Sequence, residues 1–267
     1  MKKNINLYGA EWDLQTSENH CQTLKHIRWV YDGSSDTSVY VNSSIEQALD
    51  SNDDTIKYAW LNESKAIDAQ SYQVLNRNIN RFVEVFEKIF THDKSIYSNY
   101  DNAVFVPLSV VWIKDMAVHP KDKIVSMISS SKNMCRGHEI RLSWVERLSD
   151  KLDLYGSGFR HIKNKETGLK DYMFSVAIEN DTYGSCFTEK ILDCFATGTV
   201  PVYLGPKDIG NFFNIDGIIE LNDDFDILSL NKDLYMSKMD AIKENFELCK
   251  EYIHVEDYMY EKYLAGE

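Results

Sequence analysis

Glu189 and Lys190 are charged residues at the predicted start of a helix, a position where they could bind an anion. At 100° per residue, Glu189 lies opposite the apolar face of that helix and Lys190 lies beside it, so neither belongs in the core. A lysine opposes the positive end of the helix dipole, whereas an anion bound there is stabilised by the lysine and the backbone N–H groups. The pair therefore predicts a site for a nucleotide diphosphate. The alternative is a solvated helix start with an incidental lysine.

The elements that position this pair form a strand–helix–strand unit. Residues 173–178 and 200–204 are apolar runs that predict two buried strands. Gly198 stands where a helix C-cap is expected. The apolar face of the helix between the strands is formed by Phe187, Ile191, Cys194 and Phe195. Because a helix connects the strands, we expect them to be parallel neighbours, with the anion at their carboxyl ends.

Arg141 is a second cation near the predicted start of a helix. This helix follows a serine-rich turn, and we expect Arg141 in its first turn, next to the buried face. The apolar residues that predict the buried face are Ile140, Trp144, Val145 and Leu148. A loop rich in hydrogen-bond donors beside a cation again favours a phosphate ligand.

The segment IENDTYGSCFTEKILDCFATGTVPVYLGP resembles the signature of the family 10 fucosyltransferases, the α-1,3/1,4 enzymes that use GDP-fucose. Their signature has a strand that ends in an aromatic residue followed by Glu-Asn, a variable loop, Thr-Glu-Lys, an apolar helix and a Gly-Thr-Val-Pro-Val type strand. The resemblance implies that Glu189 binds the ribose hydroxyls, since a carboxylate accepts two hydrogen bonds from a diol. It implies that Lys190 and Arg141 bind the phosphates, with Arg136 as the alternative arginine.

Three residues before Glu189 the chain departs from many relatives, because Cys186 stands where they have a tyrosine. Tyr183, in the same loop, is expected to compensate in the nucleotide-sugar pocket. Cys186 itself is expected to be a small packing residue. The resemblance also implies that Asn180 lies in this pocket; without the resemblance, Asn180 reads as a turn residue.

Transfer of a sugar needs a base that takes the proton of the acceptor hydroxyl. Glu63 follows the predicted strand of residues 55–61, in a loop that resembles the family's glutamate-containing acceptor loop, and is the predicted base. The alternatives, which stay open at this stage, are Asp93, Glu11, His92 and His138.

The composition excludes several classes of protein. The net charge of −13 disfavours nucleic acid and anionic membranes as partners, so a phosphate site has to be a local basic pocket. The five cysteines show neither disulfide nor zinc spacing. No signal peptide or membrane span is evident, and we expect a cytoplasmic protein that resembles the bacterial or phage-like members of the family.

No cofactor is expected, and no metal is required, because Arg141 and Lys190 could neutralise the leaving diphosphate. The aspartate pairs 53–54 and 223–224 lie in polar turn-like stretches and are interpreted as solvated loops.

The predicted fold is α/β, with two Rossmann-like domains of the GT-B glycosyltransferase type and C-terminal helices. Residues 1–115 are expected to form an acceptor domain. Residues 120–267 are expected to form the nucleotide-sugar domain and closing helices, with a boundary between residues 113 and 123. In the first domain, the alternating apolar residues of 84–91 predict a strand.

The sequence therefore predicts an inverting, metal-independent glycosyltransferase that transfers fucose from GDP-fucose to a saccharide hydroxyl, in glycan biosynthesis or protein glycosylation. Two alternatives remain. One is the same fold with another nucleotide sugar, and the other is a catalytically silent protein that binds nucleotides or carbohydrates.

Overall fold

The structure is a computed structural model that describes residues 2–9 and 24–266. Its contacts divide the chain into two compact units. The first unit comprises Met1–Val110, Tyr183–Cys186 and Ile253–Glu267, and the second comprises Val111–Thr182 and Phe187–Tyr252. The division falls slightly before the predicted boundary. In addition, Ile253–Glu267 groups with the first unit, whereas the sequence prediction assigned the closing helices to the second domain.

Both units combine parallel strands with helices, which confirms the predicted α/β fold class. The described strands are β1 Lys3–Tyr8, β2 Ile27–Val30, β3 Thr37–Val41, β4 Ile56–Leu61, β5 Lys88–Thr91, β6 Ala103–Phe105, β7 Lys123–Ile128, β8 Asp153–Tyr155, β9 Tyr172–Ile178, β10 Val200–Leu204 and β11 Ile219–Glu220. The described α-helices are α1 Ala69–Val85, α2 Lys94–Tyr97, α3 Arg136–Leu148, α4 Glu189–Thr197, α5 Lys232–Ser237, α6 Met239–Cys249 and α7 Val255–Met259.

The first unit contains a six-stranded sheet in the order β2-β1-β3-β4-β5-β6. Its neighbouring strands are all parallel, which is the arrangement that alternating strands and helices predict. A 3₁₀ helix, Asn42–Leu49, and α1 pack against the sheet. Asp68 caps α1 by accepting a hydrogen bond from the Ser71 N–H at 3.1 Å.

The predicted strand over residues 84–91 is wrong in its first half. Helix α1 continues to Val85, and only Lys88–Thr91 forms a strand. Phe82 and Phe86 are both buried, with their rings stacked at 5.8 Å, and the Phe86 N–H bonds the Phe82 carbonyl at 2.9 Å. Their spacing of four residues is helical, and it outweighs the short alternating pattern that follows.

The second unit contains a five-stranded parallel sheet in the order β11-β10-β9-β7-β8. Every residue of the central strand β9 is buried. Strand β10 pairs in parallel with β9, from Val200 beside Phe174 to Leu204 beside Ile178, which confirms the predicted strand–helix–strand unit. Gly198 caps α4 with a φ of 69°, a left-handed conformation that glycine adopts without strain.

The hydrophobic core of this unit lies between the sheet and its helices. Trp144, Val145 and Leu148 of α3 pack into it, as their spacing predicts. Within residues 2–9 and 24–266, no helix combines the length and apolar composition needed to cross a bilayer.

Candidate functional site

A cavity of about 460 Å³ lies in the second unit, at the carboxyl ends of its strands. Ile128 at the end of β7, Ile178 at the end of β9, and Gly156 directly after β8 contribute to its wall. The carboxyl edge of a parallel sheet is the usual ligand position in Rossmann-like folds. The charged side chains that line the cavity are Lys132, Arg141, Lys165, Glu189, Lys190 and Asp193. Four cations against two acids form a local basic pocket in a chain whose net charge is −13.

Arg141 lies in the second turn of α3, because the helix begins at Arg136, so its expected place in the first turn is wrong. The side chain is buried, and its Nη2 donates a hydrogen bond to Asn180 Oδ1 at 3.0 Å. Its Nε is buried and has no hydrogen-bond partner within the described residues. Burial lowers the pKa of Arg141, but a guanidinium stays charged at neutral pH. The group therefore retains a donor and a charge for an anionic ligand.

Asn180 orients Arg141 and does not itself line the cavity wall. It directly follows Glu179, at the end of β9. The first turn of α3 approaches this strand end closely, since a Cβ on Gly137 would lie 2.1 Å from the Asn180 carbonyl oxygen. Only glycine permits this approach, which brings the beginning of α3 and the carboxyl end of β9 together.

Lys190 lies between two carboxylates. Its Nζ is 3.3 Å from Glu179 Oε2 and 3.3 Å from Glu189 Oε1, and it donates to Thr188 Oγ1 at 2.9 Å. Burial by itself disfavours the charged lysine, but Glu189 and Glu179 outweigh burial and raise the pKa of Lys190. Burial likewise disfavours ionised Glu189, and Lys190 and Lys165 outweigh it and lower the pKa of that carboxyl. Both groups are therefore charged at neutral pH.

Glu179 is a residue next to the cavity that the sequence prediction did not include among the site residues. It is buried and accepts hydrogen bonds from the Thr188 N–H at 2.9 Å and the Thr188 hydroxyl at 2.6 Å. The Tyr203 hydroxyl also donates to Glu179 Oε1, at 3.2 Å, the oxygen that accepts the Thr188 N–H. Thr188 is the N-cap of α4, so Glu179 fixes the start of that helix and holds Lys190 beside it. The available signal was a carboxylate directly after an apolar strand.

Lys165 and Asp193 form a second buried ion pair in the cavity wall. The Lys165 Nζ is 2.9 Å from Asp193 Oδ2, 3.6 Å from Glu189 Oε1, and 4.1 Å from the ring centre of Trp112. The backbone N–H of Trp112 donates a hydrogen bond to Asp193 Oδ1 at 2.7 Å. Burial raises the pKa of Asp193 to about 6, although Lys165 favours its charged form. The sequence prediction missed both residues.

Glu63, the predicted base, belongs to the first unit and lies directly after β4 and Asn62. It is half-buried; its Oε2 accepts a hydrogen bond from the Ser64 N–H at 3.3 Å, and its backbone carbonyl accepts one from the Tyr72 hydroxyl at 3.1 Å. Tyr183 also groups with the first unit, is 47% exposed, and has Lys65 Nζ 5.4 Å above its ring. It does not line the cavity that contains Arg141.

The alternative bases occupy different environments. Asp93 is buried as the N-cap of α2 and accepts hydrogen bonds from the Ser95 N–H at 2.8 Å and the Ser95 hydroxyl at 2.7 Å. His92 is buried, and burial lowers its pKa to about 4. His138 is buried in α3, where its Nδ1 accepts a hydrogen bond from the Met134 N–H at 3.0 Å. Glu11 lies outside the described residues.

The remaining candidates lie away from the cavity wall. Arg136 is exposed and does not line the cavity, so Arg141 is the arginine that the structure brings to it. Asp53 accepts hydrogen bonds from its near neighbours Ser51 and Thr55, in an exposed turn. Asp223 is an exposed residue 4.0 Å from Arg147. Cys186 is fully buried, as expected for a packing residue.

The arrangement suits a ligand with a concentrated negative charge. Arg141 and Lys190 reach one wall of the cavity from two helices, and the serine-rich segment after β7 contributes Ser129 and Ser130. Charge-assisted hydrogen bonds to phosphate oxygens are the strong interactions that such groups make.

Residues 118–247 match the family model described as glycosyltransferase family 10 (fucosyltransferase), C-terminal part. The Helicobacter pylori protein Alpha-(1,3)-fucosyltransferase FucT is 32% identical over 63 residues, which are 24% of this chain and 13% of that protein. The matched segment thus spans a small part of this curated relative. These matches confirm the resemblance predicted from the segment between β9 and β10.

Solved structures share the fold. An α1,3-fucosyltransferase crystallised with GDP-fucose has a TM-score of 0.53 and 15% identity, over 95% of this chain and 81% of that chain. The Anabaena protein HepE, crystallised with UDP and glucose, has a TM-score of 0.60 and 9% identity, over 99% of this chain and all of that chain. At these identities, the likenesses establish the fold.

Proposed function

We propose that this chain transfers fucose from GDP-fucose to a hydroxyl group of a saccharide, with inversion at the anomeric carbon, because residues 118–247 match the model of glycosyltransferase family 10. The observation that carries the proposal is the basic cavity at the sheet edge, which is lined by Lys190 and by Arg141, whose Nε has no hydrogen-bond partner among the residues that the structure describes. The similarity to a fucosyltransferase crystallised with GDP-fucose supports this donor.

In the proposed reaction, the acceptor oxygen attacks the anomeric carbon while the bond from that carbon to the diphosphate oxygen breaks. The acceptor proton passes to a base, and GDP leaves with an additional negative charge. Arg141 and Lys190 stabilise that charge, so the proposed mechanism requires no metal ion. Asn180 keeps the guanidinium in place, and Glu189 accepts hydrogen bonds from the ribose hydroxyls.

We assign the base role to Glu63, from its place directly after a parallel strand of the first unit and its half-buried carboxylate. Replacing Glu63 with Gln keeps the shape and removes the proton acceptor. Transfer should fall by about 10²- to 10⁴-fold, with unchanged affinity for GDP. Glu46→Gln, at an exposed glutamate of the same unit, is the matched control and should keep full activity. Unchanged turnover in Glu63→Gln would remove this residue from the mechanism.

The donor is tested by isothermal titration of the full chain with GDP-fucose, GDP-mannose and UDP-glucose. We expect the tightest binding for GDP-fucose, and the same transfer rate with and without a chelator. Tighter binding of UDP-glucose would favour the same fold with another donor. UDP-glucose is included because HepE, which shares the fold, was crystallised with UDP and glucose. Absence of GDP binding would overturn the proposal, and GDP binding without turnover would indicate a silent homologue.

A further inference from the structure

Lys165 is a third cation of the cavity, and the proposed function gives it no role. It begins a 3₁₀ turn, Lys165–Gly168, in the connection between β8 and β9. Its side chain is 23% exposed and lines the cavity, whereas Lys163, two residues earlier, is exposed and does not. The position of Lys165 therefore differs from that of an ordinary surface lysine.

The ammonium of Lys165 is held in place by Asp193 and Trp112. Asp193 is 1% exposed, and both of its oxygens are used: Oδ2 contacts Lys165 at 2.9 Å, and Oδ1 accepts a hydrogen bond from the backbone N–H of Trp112 at 2.7 Å. The Trp112 ring lies 4.1 Å from the same ammonium and adds a cation–π contact. A buried carboxylate is stable only with such partners, so Asp193 and Trp112 fix Lys165 in one position.

Lys165 also contacts Glu189. The same oxygen, Oε1, lies 3.6 Å from Lys165 and 3.3 Å from Lys190. Two cations from different segments therefore hold one carboxylate from two directions. Lys190 in turn contacts Glu179 at 3.3 Å, so positive and negative charges alternate from Asp193 through Lys165, Glu189 and Lys190 to Glu179.

We propose that Lys165, anchored by Asp193 and Trp112, is a positioning residue that keeps Glu189 ionised and oriented to accept hydrogen bonds from the ribose hydroxyls of the donor nucleotide. The proposal rests on the proposed function, because it takes a nucleotide as the ligand. The connection between β8 and β9 then takes part in nucleotide recognition. The preference for a ribose with both hydroxyls over one without them would depend on Lys165, which acts through Glu189.

The test compares GDP with 2′,3′-dideoxy-GDP by isothermal titration, in the wild-type chain and in Lys165→Met. The wild type should bind GDP at least tenfold more tightly, because hydrogen bonds between hydroxyls and a charged carboxylate are strong. In Lys165→Met the affinity for GDP should fall by about tenfold, and its preference over the dideoxy analogue should nearly disappear. Lys165→Arg should keep most of the preference, and Lys163→Met should keep all of it.

Lys165→Met leaves the Asp193 carboxylate without its cation and can fail to fold. The double variant Lys165→Met, Asp193→Asn removes both charges and should show the same loss of preference. If either folded variant weakens GDP and its dideoxy analogue equally, Lys165 does not act through the ribose and the inference is wrong. The wild-type titration separates the two proposals: no GDP binding there contradicts the proposed function, whereas GDP binding with an unchanged preference in the variants contradicts this inference alone.

Discussion

Helices α3 and α4 each supply a cation to the same cavity, but the two cations are held in opposite ways. Arg141 on α3 bonds a neutral amide, that of Asn180, and its Nε has no partner within the described residues. Lys190 on α4 lies 3.3 Å from each of two carboxylates, those of Glu179 and Glu189. Among the described residues Arg141 has no carboxylate in direct contact, so its guanidinium is available to a ligand, whereas the charge of Lys190 mainly stabilises the site itself.

The sequence shows the same pattern in both helices, a cation near the predicted helix start, but the two cations serve different tasks. Binding a diphosphate requires a donor that is still available when the ligand arrives. Building a wall from buried carboxylates requires a cation that is present whether or not the ligand is bound. We therefore expect variants at α4 to change the free energy of unfolding most strongly and variants at α3 to change nucleotide affinity most strongly.

The largest effect is expected for Lys190→Met. The substitution leaves Glu179 and Glu189 without their shared cation, and Glu179 has no exposed side-chain surface. Removing one partner of a buried ion pair typically lowers the free energy of unfolding by about 3–5 kcal/mol. Urea unfolding of the full chain measures this loss. Lys151→Met, at an exposed lysine of the same unit, is the control and should change little. A loss no larger than that of the control would contradict a stabilising role for Lys190.

The next effect is expected for Arg141→Met, and it is a loss of affinity. Removing the guanidinium leaves no carboxylate without its direct partner, so stability should change less than in Lys190→Met. Affinity for GDP should fall by about 100-fold, or about 2.7 kcal/mol. Arg136→Met is the matched control, because that arginine is exposed on the same helix. If Lys190→Met weakened GDP binding more than Arg141→Met did, the contrast between the two helix starts would fail.

A smaller effect is expected when Asn180 is replaced. In Asn180→Asp a carboxylate pairs with Arg141, so the start of α3 becomes like the start of α4 and the available charge is cancelled. Affinity for GDP should fall by about tenfold, whereas Asn180→Ala, which removes one hydrogen bond, should lose only about threefold. Titration of both variants with GDP measures the difference. Equal losses would show that the charge of Arg141 matters less than its orientation.

The sequence predicts the second unit well where the pattern is local. The apolar run of β9, the helical spacing in α4, and Gly198 depend on near neighbours, and the structure confirms each of them. The position of Arg141 depends on something else. Helix α3 begins at Arg136 because Gly137 lets its first turn approach Asn180, a residue more than forty positions along the chain. The apolar periodicity alone, which begins at Ile140, could not reveal that extra turn.

The ion pairs of the cavity are the part that sequence reasoning misses. Lys165 meets Asp193 across 28 residues, and neither residue stands out in its own segment. Asp193 does carry a weak signal, because it stands within an otherwise apolar stretch, residues 191–196, where a charged residue requires a partner if the helix is buried. The identity of that partner depends on how the connection before β9 folds back, which no local pattern encodes.

The smallest effect is a pH dependence of stability that has opposite signs for a buried group on α3 and one on α4. Burial raises the pKa of Asp193 on α4 to about 6, so the folded state binds a proton before the unfolded state does, and stability rises as pH falls. Burial, followed by the charge of Arg141, lowers the pKa of His138 on α3, so the unfolded state binds the proton first and stability falls as pH falls below 6.5.

The two contributions are separated by urea unfolding at pH 7.5, 6.5 and 5.5. For Asp193, linkage gives a gain of under about 1 kcal/mol over this range, and Asp193→Asn should abolish it. His138→Gln should abolish the opposing loss. The free energy of unfolding of this variant minus that of the wild type should therefore increase as the pH falls from 7.5 to 5.5. If both variants shifted the pH dependence of the free energy of unfolding in the same direction, the buried groups of α3 and α4 would not differ in sign. The distinction between α3, which binds the ligand, and α4, whose lysine is paired with carboxylates, would then not be supported.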